Sequence, residues 1–262
     1  MKKARVLIDG LVFDAFEDRF AGPNGIRLAD GRVFAETDVS WLPPFRIRSA
    51  FAIGLNYKTH ADSLDFKLPA EPMAFYKAPN TFIGNRHATR RPADVSFMHY
   101  ECELTIVIGK TARRVPEERA YEYIGGYTVC NDYAFRSYLR NYYRPNLKIK
   151  SRDCGTPIGP WFVDAADIAD PMNLDLRCFV DGKQTMAGNT RDMIFSVPFL
   201  VSYFSRILTL QPGDVILTGC PEAKLDLPVG SEVVTEIDGV GRLSNFIAPD
   251  SEYPEPVPCA LR

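Results

Sequence analysis

The sequence predicts a mostly β fold with a few helices, in the α+β class. Many short apolar runs rich in β-branched residues lie between clusters of turn-forming Gly, Pro, Asn and Asp. Only two segments carry helical periodicity. The 262 residues, 46% hydrophobic and 24% charged, suffice for one large domain with a small appendage and have the composition of a globular protein.

The first forty-odd residues indicate a small β module. Short extended runs alternate with Gly, Asp and Asn, and IRLADGRVF predicts two strands joined by a hairpin turn at Asp30 and Gly31. Pro43 and Pro44 then interrupt the pattern in WLPPFRIRS. We therefore expect an N-terminal β module over residues 1–46 and a main domain over residues 47–262.

The main domain should consist largely of strands. Seven runs have the length, β-branched content and turn-rich flanks of strands: FAIGL, MAFYK, LTIVIG, YTVCN, LDLRCFVDG, DVILTG and SEVVTEI. One helix is predicted in PEERAYEYI from Pro116. A longer helix, capped by Ser196, is predicted from apolar residues at helical spacing: Val197, Leu200, Val201, Phe204 and Leu208.

Charge and hydropathy exclude several classes of partner. The formal charge of −2 and the pI near 6.0 give no general attraction to nucleic acid or anionic lipid. The basic stretch YLRNYYRPNLKIKSRD has no wider basic surface around it, so a pocket for a carboxylate substrate fits it better than RNA does. No apolar run approaches the ~20 residues of a membrane span. We expect a cytoplasmic protein without a nucleic-acid or membrane partner.

The six cysteines form no CxxC pair and no cluster with histidine, so the sequence signals neither a zinc site nor a disulfide framework.

Two glutamates interrupt the apolar strand in HYECELTIVIGK. Strand side chains alternate, so Glu101 and Glu103 lie on one face while Cys102 and Leu104 lie on the other. Either this strand end is exposed and both carboxylates are solvated, or a cation compensates them in a buried site. Asp132, after the run YTVCN, offers a third oxygen ligand. Such ligands suit magnesium, manganese or calcium better than zinc.

Two further segments have both an ordinary and a functional interpretation. His60, in NYKTH after the strand FAIGL, is either a packed or solvent-facing histidine or a general acid or base. DVILTGCP places Thr218, Gly219 and Cys220 in a turn after a strand, where backbone N–H groups either end the strand or meet an anion. The residues alone leave both questions open.

Taken in order, the segments from about Phe51 to Ile247 resemble the fumarylacetoacetate hydrolase family. The resemblance rests on GLNYKTHADSLDF, FYKAPNT, MHYECELTIVIGK, YIGGYTVCNDYAFR, NYYRPNLKIKSRD, DMIFSVPFLVSYFS, LQPGDVILTGCP and DGVGRLSN. It implies the family's mixed β-roll, often as a homodimer, with a magnesium or related ion (Mg²⁺, or Mn²⁺ or Ca²⁺) at the mouth. It also implies roles for particular residues. These are metal binding by Glu101, Glu103 and Asp132, catalysis by His60 and Lys150, and substrate binding by Arg136, Thr218 and Gly219. Arg152, in the basic stretch, is a further candidate for binding the distal carboxylate of the substrate.

The activity that follows is a metal-dependent isomerase/decarboxylase acting on an unsaturated 2-oxo or 2-hydroxy dicarboxylic acid. The family commonly has a glutamate three residues after the histidine, and Ser63 stands there, so activation of water by a His/Glu pair is not expected. Cys220 replaces a hydroxyl-bearing residue of the family. An acylpyruvate or fumarylacetoacetate-type hydrolase and a non-catalytic module that binds metal and a small acid are the alternatives.

Overall fold

The computed structural model describes residues 1–58, 69–140, 147–221 and 225–250. Its strands are β1 (Lys2–Ile8), β2 (Leu11–Glu17), β3 (Ile26–Leu28), β4 (Val33–Phe34), β5 (Ser40–Leu42), β6 (Ala50–Gly54), β7 (Met73–Lys77), β8 (Phe82–Ile83), β9 (Ala88–Arg91), β10 (Met98–His99), β11 (Cys102–Ile108), β12 (Ile124–Asn131), β13 (Ala134–Phe135), β14 (Thr156–Asp164), β15 (Asp175–Val180), β16 (Lys183–Asn189), β17 (Val215–Leu217), β18 (Glu232–Ile237) and β19 (Gly241–Pro249). The α-helices are α1 (Leu147–Lys150) and α2 (Val197–Ile207), and short 3₁₀ helices span Arg19–Ala21, Pro79–Thr81, Glu117–Tyr123, Arg136–Tyr138, Ala165–Asp167 and Thr190–Asp192.

Two mixed sheets form most of the structure. The larger has twelve strands, ten of them in the order β4-β3-β2-β1-β14-β12-β11-β17-β6-β7, while β5 pairs with β1 and β8 pairs with β14. The smaller has five strands in the order β16-β15-β18-β19-β9. Most pairs are antiparallel, but β17 with β6, β14 with β8 and β19 with β9 are parallel. The prediction of a mostly β fold with few helices is confirmed, as are the seven predicted strands of the main domain.

The N-terminal strands are hydrogen-bonded to the rest of the sheet. β3 and β4 form the predicted hairpin, and β1 pairs with β2 on one side and with β14 on the other. Trp41, the second residue of β5, packs edge-on against Trp161 of β14 with ring centroids 5.5 Å apart. The N-terminal module therefore extends the large sheet, and the boundary after residue 46 stays a prediction.

Both predicted helices are present. Ser196 caps α2, and its Oγ accepts a hydrogen bond of 3.3 Å from the backbone N–H of Phe199. The segment after Pro116 is a 3₁₀ helix, in which the N–H of Ile124 donates to the carbonyl of Tyr121, three residues earlier. Within the described ranges, no helix has the length and apolar character that a membrane span requires. The five described cysteines are all free thiols.

Strand β11 is buried along its whole length and positions the acidic residues. Its Leu104 and Ile106 lie in the main core, whereas Val107 belongs to a second apolar cluster on the opposite face of the sheet. β11 runs antiparallel to β12, so the start of one strand lies beside the end of the other. This register brings the residues that precede β11 next to those that follow β12.

Candidate metal and substrate site

Three buried carboxylates meet where β11 begins and β12 ends. Glu101 directly precedes β11, Glu103 is its second residue, and Asp132 directly follows β12. The N–H of Asp132 donates to the carbonyl of Glu101 at 2.9 Å, which locks the two strand ends together. One carboxylate oxygen from each residue lies within 4.8 Å of the others. The structure thus brings the three predicted metal-ligating residues to one point.

Burial excludes the alternative of a solvated strand end. Glu101 is 8% exposed, Glu103 0% and Asp132 1%. Charged groups so far from water must be compensated by opposite charge, by hydrogen bonds or by protonation.

Glu103 is the least compensated of the three acids. Its Oε2 accepts a 2.7 Å hydrogen bond from the N–H of Gly219, while its Oε1 has no hydrogen-bond partner among the described residues. Burial, and then the negative charges of Asp132 and Glu101, raise the pKa of the Glu103 carboxyl well above its usual range. Asp132 Oδ2 accepts no hydrogen bond from the described part of the chain, although the ammonium of Lys150 lies 3.1 Å from it. Glu103 Oε1, which has no partner among the described residues, lies beside two further buried carboxylates, and this arrangement fits a divalent cation that prefers oxygen ligands.

Two buried lysines supply most of the positive charge next to the three carboxylates. The Nζ of Lys150 lies 2.6 Å from Glu101 Oε2 and 3.1 Å from Asp132 Oδ2, and it donates to the Asp132 carbonyl at 2.9 Å. Burial opposes the charged form of Lys150, but Asp132 and Glu101 outweigh it and raise the pKa of its ammonium. The Nζ of Lys77 lies 2.6 Å from Asp132 Oδ1 and also donates to the Lys150 carbonyl.

Glu101 is ionised in this setting. Burial opposes its charge, yet the ammonium of Lys150, with a smaller contribution from Arg136, holds the pKa of the Glu101 carboxyl well below its usual range. The Nη2 of Arg136 lies 3.6 Å from Glu101 Oε1. The Nε of Arg136 donates to His99 Nε2 at 2.8 Å, and His99 is itself buried. Arg136 therefore lies at the site, as the resemblance implies.

The turn after β17 donates a backbone hydrogen bond to one of the three acids. The N–H of Gly219 binds Glu103, and both the N–H and the hydroxyl of Thr218 donate to the carbonyl of Leu104, at 3.1 and 2.9 Å. Gly219 has φ +82°, and a Cβ there would lie 2.9 Å from the Cβ of Asn56, so only glycine fits. Asn56 in turn donates to the Thr218 carbonyl at 2.8 Å. The turn thus orients Glu103, and substrate binding by Thr218 and Gly219 stays a prediction.

Two predicted residues are not placed at the acids by the described structure. His60, with Ser63, falls in the range 59–68, outside the described residues. Arg152 pairs with Asp250 at 3.1 Å, and its guanidinium lies over the rings of Phe135 and Tyr138. The proposed roles of His60 and Arg152 therefore stay predictions.

Sequence reasoning missed three residues of the site. Lys77 ends the run MAFYK, His99 stands two residues before Glu101 in HYE, and Asn56 follows the strand FAIGL. Strand alternation places Lys77 on the same face as Met73 and Phe75, opposite the exposed Ala74 and Tyr76, and this was the signal available for Lys77. The structure pairs His99 with Arg136 beside Glu101.

Fold and site together define a class of protein. A mixed β structure gathers three convergent carboxylates among buried basic side chains, which suits a divalent cation and an anionic, oxygen-rich ligand. The chain belongs to the fumarylacetoacetate hydrolase family, since residues 49–248 match the model of the C-terminal domain of that hydrolase. The prediction of the family is confirmed.

A bifunctional isomerase/decarboxylase is similar in sequence. The 4-hydroxyphenylacetate degradation enzyme of Salmonella dublin is 56% identical over 214 residues, which make up 82% of this chain and 50% of that protein. The chain thus spans about half the length of this bifunctional relative.

Solved structures show the same fold. A 5-carboxymethyl-2-hydroxymuconate delta-isomerase from Mycobacterium smegmatis superposes with a TM-score of 0.83 at 32% identity, covering 96% of this chain and 100% of that one. A fumarylpyruvate hydrolase from Pseudomonas aeruginosa, in complex with Mn²⁺ and pyruvate, gives a TM-score of 0.73 at 31% identity, covering 79% and 91%. The family therefore includes both isomerases and hydrolases, and at least one member that binds a divalent metal.

Proposed function

We propose that this chain is a metal-dependent isomerase/decarboxylase that acts on unsaturated 2-oxo or 2-hydroxy dicarboxylic acids. The observation that carries the proposal is the buried group Glu101, Glu103 and Asp132, in which Glu103 Oε1 has no hydrogen-bond partner among the described residues. The similarity to the bifunctional isomerase/decarboxylase supports the substrate class. We also keep two expectations: a cytoplasmic location, from the hydropathy of the sequence, and a homodimer, from the family resemblance.

The proposed metal ligands are those three carboxylates, and Mg²⁺ is the proposed ion, with Mn²⁺ or Ca²⁺ as substitutes. The donor set is oxygen only, which favours these hard cations over zinc. When bound, the ion supplies Lewis-acid stabilisation of the negative charge that develops on the 2-oxo group.

The charges of the site favour a substrate with two carboxylates. Three carboxylates face three cationic side chains, those of Lys77, Lys150 and Arg136, so the charges of the protein cancel. Addition of a dication leaves the site with a surplus of about two positive charges, which a dicarboxylate neutralises. A neutral substrate would leave that surplus buried.

The chain's own residues bind and orient the acid substrate in this proposal. Arg136 holds the carboxylate distant from the 2-oxo group by a charge-assisted contact of the bidentate kind that arginine forms, with Arg152 as the other candidate. Lys150 keeps a proton on Nζ and stabilises the enolate electrostatically, because its pKa is raised. His60 is the proposed general acid or base that moves a proton on the substrate carbon.

Isomerisation is preferred to hydrolysis for a chemical reason. Ketonisation of a dienol needs proton transfer but no activated water, and Ser63 stands where the family commonly has the glutamate partner of the histidine. The second candidate is a hydrolase of acylpyruvate type, which the similarity to the Mn²⁺ and pyruvate complex favours.

A substrate assay separates these two activities. We expect the purified chain, loaded with Mg²⁺, to convert a 2-hydroxy-diene dicarboxylate and to lose that activity on addition of EDTA, with recovery when Mg²⁺ or Mn²⁺ is restored. Ultraviolet absorbance follows the diene directly. Release of pyruvate from an acylpyruvate, without conversion of the diene, would establish the hydrolase instead.

Replacement of Lys150 tests whether the site is catalytic at all. We expect Lys150→Ala to lower kcat by on the order of 10²-fold or more, because the enolate loses a buried positive charge. Thermal unfolding and Mn²⁺ titration of the same variant show whether the fold and the acids persist. Lys148→Ala, two residues away and exposed, is the matched control and should keep wild-type turnover. A wild-type protein that binds Mn²⁺ and a dicarboxylate without turning any substrate over would be a binding module.

A further inference from the structure

His99 and Arg136 form a buried pair beside the acids. His99 lies on β10, which pairs with β13 so that His99 faces Ala134, and Arg136 follows β13 directly. The Nε of Arg136 lies 2.8 Å from His99 Nε2. The same ring nitrogen is 3.3 Å from Glu101 Oε1. One nitrogen atom therefore faces both a donor and a carboxylate oxygen.

The chemistry of the guanidinium decides which contact is the hydrogen bond. Arginine has only donors and remains charged in proteins, so the nitrogen that meets Arg136 Nε–H must present a lone pair. The ring hydrogen of His99 then lies on Nδ1. It follows that His99 Nε2 and Glu101 Oε1 are two acceptors in contact. The histidine nitrogen accepts a hydrogen bond from the arginine and donates none to the carboxylate.

An acceptor at this position fixes the plane of the guanidinium. With Nε–H directed at His99, the terminal nitrogens of Arg136 are turned towards the acid cluster, where Nη2 lies 3.6 Å from Glu101 Oε1. These two terminal nitrogens are the ones that bind a carboxylate in a bidentate manner. A flexible arginine without this acceptor would have to be ordered at each binding event.

The strand that carries His99 is itself held in place. Asp226 Oδ1 accepts the N–H of Met98 at 2.8 Å, and the Met98 carbonyl accepts the N–H of Leu227 at 2.9 Å. Arg91 binds the same Asp226 oxygen at 2.8 Å. The ring of Phe97 lies 5.8 Å from the His99 ring, centroid to centroid. Such hydrogen bonds and packing are expected around a side chain whose orientation is functionally important.

We infer that His99 is a positioning residue that orients Arg136 and thereby sets selectivity for a substrate with a second carboxylate. The inference rests on the proposed function, because it needs Arg136 to bind the distal carboxylate. It differs from a role in metal binding, which the contact with Glu101 alone would suggest. The two roles predict different results for the same variants.

Binding of two probes of equal chain length measures this selectivity. With saturating Mg²⁺, calorimetry compares 2-oxoadipate with 2-oxohexanoate, which lacks the distal carboxylate. We expect His99→Leu to weaken 2-oxoadipate binding about tenfold and to leave 2-oxohexanoate binding within about twofold. His99→Gln, which keeps an acceptor oxygen near the Nε2 position, should retain most of the wild-type ratio. His87→Leu is the control, because His87 is hydrogen-bonded to the Trp41 carbonyl. This variant should not change the ratio of the two affinities.

Other outcomes would overturn the inference. Equal losses for both probes, or a His99→Gln variant as poor as His99→Leu, would mean that the acceptor does not act through Arg136. A comparable fall in Mn²⁺ affinity, measured by electron paramagnetic resonance, would assign His99 to Glu101 instead.

A spectroscopic readout separates this inference from the proposed function. Long-range ¹H–¹⁵N NMR of the imidazole side chains reports which nitrogen of His99 carries the hydrogen, in protein without substrate. We expect the Nδ1–H form, and an Nε2–H form would contradict the pairing even in an active enzyme. If the NMR result holds but neither probe binds with Mg²⁺ present, the proposed function fails and the selectivity role fails with it.

Discussion

Glu103→Gln is expected to lower the affinity for Mn²⁺ or Mg²⁺ by on the order of 100-fold or more and to reduce turnover below detection. The amide keeps the size of the side chain and can still accept the N–H of Gly219, but it removes one of three ligand charges. Because the metal-free carboxyl is buried and under-coordinated, its replacement should not destabilise the metal-free fold.

Isothermal titration with Mn²⁺ and thermal unfolding with and without metal test this expectation. In the wild type, saturating metal should raise the unfolding free energy by about 2.7 kcal/mol at a concentration 100 times the dissociation constant. Glu103→Gln should show no such gain. Glu122→Gln, an exposed glutamate paired with Arg119, is the matched control. Wild-type Mn²⁺ affinity in Glu103→Gln would remove this residue from the metal site.

The same variant isolates a pH effect. The pKa of Glu103 is raised in the folded protein, so the unfolded chain loses this proton at lower pH than the native one does. Stability contributed by the protonated form is therefore present below the ordinary glutamate pKa and decreases as pH rises above it. The stability difference between metal-free wild type and Glu103→Gln should shift in favour of the variant as pH rises from about 4 to 7.

The acidic group was predictable because it depends on local rules and on order along the chain. Strand alternation places Glu101 and Glu103 on one face, and the family resemblance adds Asp132 from the next strand. The strands themselves follow from their β-branched composition. The capped helix α2 follows from Ser196 and the apolar spacing behind it.

The compensating cations were harder to predict because their positions depend on long-range pairing. Lys77 is separated by 55 residues from Asp132, and nothing in MAFYK shows that the Nζ of a lysine at the end of β7 reaches the residue that follows β12. His99 lies two residues before Glu101, a predicted metal ligand, but its contact with Arg136 follows only from the pairing of β10 with β13. The turn at Gly219 shows the same limit, because its acceptor Glu103 lies on another strand.

Lys77→Met is the other substitution with a large expected effect. The lysine is fully buried, and its Nζ lies 2.6 Å from Asp132 Oδ1. Removal of one partner from a buried ion pair leaves an uncompensated charge, which typically costs about 3–5 kcal/mol of stability. We expect the metal-free variant to lose stability in that range, measured by urea unfolding. Lys183→Met, at an exposed strand position, should change stability by less than about 0.5 kcal/mol.

A double-mutant cycle shows whether this loss belongs to the pair. Asp132→Asn combined with Lys77→Met should be more stable than the sum of the single changes predicts, by an interaction energy of about 1–3 kcal/mol. Without Lys77 the cluster has an excess negative charge, so the single variant should bind Mn²⁺ more tightly than the wild type and regain stability when the ion is added. The same excess should weaken binding of 2-oxoadipate. Weaker Mn²⁺ binding by Lys77→Met would show that this lysine organises the ligands rather than balancing their charge.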